Sequence, residues 1–98
     1  MNRVEIRKTE VFTRWLDDLR DIRGRARVQI RIEWLATGNA GDVKPVGEGV
    51  SELRVHYAPG YRVYFIRQGQ NLFILLAGGD KRTQTSVIKT ALHLARNL

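Results

Sequence analysis

The chain has no cysteine, only two prolines and no apolar run approaching the roughly 18 residues of a membrane span. Without cysteine there is neither a disulfide framework nor thiolate chemistry, a composition that suits a reducing compartment. Histidine is scarce as well: His56 and His93 stand far apart in the chain, and neither has a partner at ligand spacing. No metal and no cofactor are therefore expected. The opening stretch MNRVEIRKTEVF has no apolar stretch of the kind a secretory leader needs, so the expectation is a cytoplasmic protein with no membrane partner. Acid is the scarce sign of charge, with 10 Asp/Glu against 17 Lys/Arg, a net of +7.

What is present is base, unevenly spread. Residues 51–98 carry seven Lys/Arg against two Asp/Glu, a net of +5; residues 1–50 carry ten against eight, a net of +2. A small domain that concentrates positive charge in this way is usually built to meet phosphate, which makes nucleic acid the leading class of partner. An anionic membrane surface or an acidic protein is the alternative such a charge can serve. At 98 residues the chain is expected to form one domain over 1–98, with enough apolar content to fold alone.

Hydrophobic periodicity predicts the elements. Val4 and Ile6 alternate with Arg3, Glu5 and Arg7, as in a short strand. Thr9 offers an N-cap, and Phe12, Trp15, Leu16, Leu19 and Ile22 follow at helical spacing, with Asp17, Asp18 and Asp21 on a solvated opposite face. Residues 25–37 alternate like a strand but are too long for one, and Gly38 sits where a helix cap belongs, so a second helix is expected. It would align Arg20, Arg23, Arg27 and Arg31 across Gly24, either as a nucleic-acid stripe or as a solvated face. Residues 38–50, rich in glycine, read as a loop. SELRVHY (51–57), YRVYFIR (61–67) and LFILLA (72–77) read as strands, the third central and covered on both sides. Ile88, Ala91, Leu92 and Ala95 then mark a last helix, with Lys89, His93 and Arg96 on its exposed side.

Register decides which of these side chains share a face. If Tyr57 faces Tyr61 across Ala58-Pro59-Gly60, then Leu53, Val55, Tyr57, Tyr61, Val63 and Phe65 form one apolar face. Arg54, His56, Arg62 and Tyr64 form the other. A two-residue Pro59-Gly60 turn suits proline better but mixes charge with aliphatic side chains on both faces. Burying a charge costs more than one awkward turn, about 1–3 kcal/mol for each unsatisfied polar group, so the first register is expected.

Taken in order, GDVKPVGEGVSELRV (41–55), GYRVYFI (60–66) and LLAGGDKRT (75–83), after a strand and a helix pair, resemble the RelE/ParE superfamily of toxins from type II toxin–antitoxin systems. The similarity runs over essentially the whole chain and is closest to the HigB-like addiction-module killer proteins. It implies an α+β fold: a compact domain with a curved, mainly antiparallel sheet, two N-terminal helices on one side and a C-terminal helix. It also implies a cognate antitoxin, often a small helix-turn-helix protein, and, in RelE-like members, metal-independent cleavage of mRNA on the ribosome. Arg62 matches the arginine of the family's YR motif, and Lys81 with Arg82 matches the basic pair after the last strand. Arg54 and His56 lie where other members place basic residues. Ile88 stands where RelE carries a tyrosine that helps catalysis, so the ParE branch, which poisons DNA gyrase without cutting RNA, is the alternative.

Metal-free RNA cleavage needs a base for the 2′-hydroxyl, cations for the charge growing on phosphorus, and an acid for the leaving oxygen. Arg62 and Arg82 are the candidate phosphate clamps, since a guanidinium fork matches phosphate oxygens, and Lys81 adds a point charge. His56 is the candidate proton carrier. Tyr64 is a candidate for stacking a base, and Lys44 and Arg54 for contacting RNA. Each has a plainer reading: Arg62 pairing with Glu52 or Asp80, His56 an ordinary surface residue, Lys44 merely solvated. The GGDKRT turn lacks the spacing of a nucleotide-binding phosphate loop.

Overall fold

The computed structural model describes residues 4–98; Arg3, assigned above to the first strand, lies outside them. Strand β1 (Glu5–Lys8) leads into helix α1 (Glu10–Asp17) and helix α2 (Ile22–Ala36). Four strands follow, β2 (Val43–Gly47), β3 (Val50–Arg54), β4 (Tyr61–Gln68) and β5 (Leu72–Asp80), and then helix α3 (Gln84–Arg96). The sheet runs β1-β5-β4-β3-β2, with β1 parallel to β5 and every other neighbour antiparallel. This is the α+β architecture expected, with α1 and α2 on one face and α3 on the other.

Thr9 caps α1 as expected, its hydroxyl accepting from the Phe12 N–H at 3.0 Å. The apolar spacing that runs on to Ile22 does not continue as one helix. Asp21 turns from a surface acid into the N-cap of α2, accepting from the Gly24 N–H at 3.0 Å and from the Tyr61 hydroxyl at 2.8 Å. Those bonds hold the Asp21 carboxyl below its usual range, the Gly24 amide foremost. Ile22, now the first residue of α2, is 80% exposed. Gly24 lies inside α2, because a Cβ there would meet the Tyr61 ring at 2.3 Å.

A second correction concerns 38–50, where β2 pairs with β3 through a tight turn of Gly47, Glu48 and Gly49, all at positive φ. Pro45 is tolerated because β2 is an edge strand. The third concerns the β3–β4 connection. Arg54 pairs with Arg62, and Val55 N–H reaches the Tyr61 carbonyl, so five residues (56–60) make the loop instead of three. The slip is two positions, which preserves the alternation. Leu53, Val55, Tyr61, Val63 and Phe65 pack with Phe12, Leu16, Val28, Ile32 and Leu35 under α1 and α2, with Tyr57 at the margin. Tyr64, Leu76, Ala77 and Val50 pack under α3 with Ala91, Ile88 and Leu92.

The two glycines of LLAGGDKRT serve opposite faces. A Cβ on Gly78 would lie 2.2 Å from the Trp15 ring of α1, and one on Gly79 would lie 2.7 Å from Thr83 Oγ1 and 2.8 Å from Val87 Cγ2 at the start of α3. The sheet is thinned at this point so that both helix layers can approach β5.

Candidate functional site: a cationic rim beside the β3–β4 loop

The site begins with an acid. Glu52 is fully buried on the α3 face, in register with Tyr64 on β4. Its carboxylate accepts from Arg54 Nε at 2.9 Å, the Tyr64 hydroxyl at 2.8 Å and Gln84 Nε2 at 2.7 Å. Burial alone would raise its pKa, but the hydrogen bonds from Arg54, Gln84 and Tyr64 outweigh that and hold it below the ordinary value. Burial pushes the Tyr64 phenol up, and its bond to the carboxylate pushes it further. Sequence reasoning saw Glu52 only as a possible partner of Arg62, because a buried acid in an alternating strand has the pattern of an exposed one.

Arg62 stands beside this hub, opposite Arg54 and above the bare Gly79. Its Nε is 3.9 Å from Glu52 Oε1, too far for a hydrogen bond, and one terminal nitrogen donates weakly to the Tyr61 carbonyl at 3.2 Å. The side chain is 13% exposed, yet Nε has no hydrogen-bond partner among the described residues. Arg62 lines a hollow together with His56, Tyr57, Pro59 and Lys81. An adjoining hollow adds Asp80 and Arg82 and shares Pro59 and Lys81.

Asp80 organises the basic pair. Its Oδ1 accepts from the Arg82 and Thr83 N–H groups at 2.9 and 3.1 Å, and its own N–H donates to Thr83 Oγ1 at 3.0 Å. This turn carries Lys81 and Arg82 outward at the end of β5. His56 leaves the strand at the start of the loop, is 75% exposed, and places Nε2 2.5 Å from Asp42 Oδ2.

Four of the expected residues, His56, Arg62, Lys81 and Arg82, therefore lie around two adjoining hollows. Arg54 is committed to Glu52, and that bond raises its pKa. Lys44 is exposed on edge strand β2 and lines neither hollow. Tyr64 is corrected: with 0% exposure its ring offers no face to a base, and its place is inside the core under α3. Arg31 is corrected as well. It is buried, donating to the carbonyls of Arg54 and Ala40, so it braces α2 against the end of β3 and cannot belong to an exposed stripe. Ile88 packs into the α3 core, and His93 is exposed as expected. Among the described residues no cluster of three His, Cys, Asp or Glu could hold a metal, and no helix is long and apolar enough to cross a membrane.

A five-stranded sheet between two helices and a third, with a cationic rim at one end, defines a small basic α+β protein. The chain belongs to the phage-derived Gp49-like protein family (DUF891), whose family model matches residues 14–98. That family is associated with RelE/ParE-like toxins of toxin–antitoxin systems, which is consistent with a toxin that has an antitoxin partner. The chain is also 45% identical over 95 residues to an uncharacterized protein of Haemophilus influenzae strain Rd, covering 97% of this chain and 96% of that protein.

Proposed function

We propose that the chain is a HigB-like toxin that cleaves mRNA on the ribosome without a metal, and that a cognate antitoxin of the helix-turn-helix kind neutralises it. The observation that carries this reading is the grouping of Arg62, His56 and Lys81 around one hollow, with Arg82 at the hollow that adjoins it. Two cations and an imidazole gathered on one hollow with no carboxylate among its lining residues suit an anion from outside. Arg62 and Arg82 clamp the scissile phosphate from two sides. His56, with Nε2 held by Asp42, takes the 2′-hydroxyl proton on Nδ1. The 2′-oxygen then attacks phosphorus, the bond to the 5′-oxygen breaks, and Lys81 supplies charge to the phosphorane and the proton to the leaving oxygen.

Ile88 favours a second reading. It brings no phenol to the site and is half-buried against the core, as in a toxin of this fold that acts by binding, for instance on gyrase. Mapping mRNA 5′ ends in cells shortly after induction without antitoxin separates the two. New ends at consistent positions within translated codons, lost in Arg62→Ala and His56→Ala, support the nuclease. Intact mRNA alongside growth arrest supports the binding toxin.

A further inference from the structure

The hollow around Arg62 does not end at His56. Val55 and His56 also line a second groove, whose other wall is the outer side of α2: Arg27, Ile30, Arg31 and Trp34. Arg27 lies over the Tyr57 ring at 5.1 Å, and Tyr57 itself lines the Arg62 hollow, so an aromatic–cation pair forms the saddle between the two depressions. Further along, the Arg31 guanidinium lies 5.8 Å from the Trp34 ring centre. Trp34 is 47% exposed and Ile30 45%, both large apolar side chains left open on the same helix. Among the lining residues there is no carboxylate.

We propose that this groove is a base-binding subsite for single-stranded RNA, in which a nucleotide flanking the scissile phosphate stacks on Trp34 while Arg27 meets its backbone. The inference rests on the nuclease reading and extends it to substrate selection. Interleaved aromatics and cations beside a phosphate clamp are what sequence-tolerant strand binding uses, because every base has a π-face and every linkage a charge. Arg31 cannot contribute phosphate binding, since its terminal nitrogens are bound to backbone carbonyls; its part is to brace the indole. The groove is continuous with the candidate site through His56, so a strand cut at Arg62 has this surface directly in its path.

An acidic amphipathic segment of the antitoxin is the competing occupant, and one set of variants decides between them. Trp34 is exposed, so Trp34→Ala and Arg27→Ala are expected to fold, which circular dichroism checks. In a translating extract programmed with a defined mRNA, Trp34→Ala should still cut, but with KM raised about 10-fold or more and altered preference at the nucleotide beside the cut. On an eight-nucleotide single-stranded RNA, the wild-type tryptophan fluorescence should be quenched and that of Trp34→Phe unaffected. Arg27→Ala should flatten the log–log salt slope of binding by about 0.7, one phosphate contact. Cleavage by Trp34→Ala at wild-type sites and rate would overturn the subsite while leaving the nuclease reading intact. So would a variant that cuts normally but escapes antitoxin, which would make the groove a protein surface. If the wild type does not cut at all, the nuclease reading fails and takes the subsite with it; a wild type that cuts but shows no quenching overturns the subsite alone.

Discussion

Under α1 and α2 the sheet contributes Leu53, Val63 and Phe65 to a core of aliphatic and aromatic side chains. Under α3 the alternate positions of the same two strands put Glu52, Arg54 and Arg62 beside Tyr64. The first face is held by burial, which is non-directional and tolerates small shifts in shape. The second sets into its own apolar core of Val50, Leu76, Ala77 and Ala91 a carboxylate that needs its hydrogen bonds, because a buried polar group left unpaired is penalised heavily. The difference shows how a strand pair can separate its duties. At these positions one face supplies only apolar packing, and the other adds to its apolar packing a polar hub that holds two arginines at fixed places.

The largest effect should come from the apolar face. Leu53→Ala removes a fully buried side chain and should cost about 2–5 kcal/mol in urea unfolding, by the same amount at pH 4 as at pH 7. Glu52→Gln, one residue away, keeps the shape but loses the charge that Arg54 binds, and should cost about 2 kcal/mol near neutrality. Its pH behaviour should differ from that of Leu53→Ala. Because the folded Glu52 pKa is depressed, the ionised carboxylate contributes stability that is fully present above the unfolded value of about 4.3 and is lost as pH falls through the folded pKa. The Glu52→Gln penalty should therefore shrink in acid. A penalty independent of pH would mean that the carboxylate is not the keystone of that face. Tyr64→Phe should cost less, about 1 kcal/mol, since Arg54 and Gln84 still bind Glu52.

How much of this was legible from the sequence follows the same division. Apolar alternation and helical spacing record burial, so α1, α2, β3, β4, β5 and α3 were visible, and the face shared by Leu53, Val55 and Val63 was correct even though the loop is two residues longer than expected. Capping and pairing leave fainter marks. Asp21 as an N-cap looks like any surface aspartate, so the break between α1 and α2 was placed at Gly24 instead of before Ile22. Strand β2 was hidden by Gly41, Gly47, Gly49 and Pro45, which read as loop until Val50–Arg54 supplies a partner. For the site, composition and resemblance brought out His56, Arg62, Lys81 and Arg82. The polar residues that turned inward, Glu52, Tyr64 and Arg31, were misread or underweighted, because a buried polar side chain and an exposed one share the same letter and the same period. The pair Asp42 and His56 was out of reach for another reason: it joins two loops, and no periodicity spans them.

That pair gives the smallest expected effect on stability and the finest test of how the two faces divide their duties. His56 is largely exposed and Asp42 half-buried, so Asp42→Asn and His56→Ala should each leave the unfolding free energy within about 0.5 kcal/mol. Arg62→Ala is a sterner case, since its side chain is nearly buried, but with no strong internal hydrogen bond to lose it should behave closer to His56 than to Glu52. Cleavage should separate the three. On the proposed nuclease reading Arg62→Ala removes the phosphate clamp and His56→Ala the proton carrier, so both should abolish new mRNA ends. Asp42→Asn keeps the imidazole but replaces the carboxylate at Nε2 with a neutral amide that can turn either way. The ring then loses its fixed tautomer, and cleavage should fall without vanishing, at unchanged sites. Wild-type cleavage by Asp42→Asn would show that His56 works without being held. Complete loss of cleavage in a well-folded protein would give Asp42 a direct share in the chemistry.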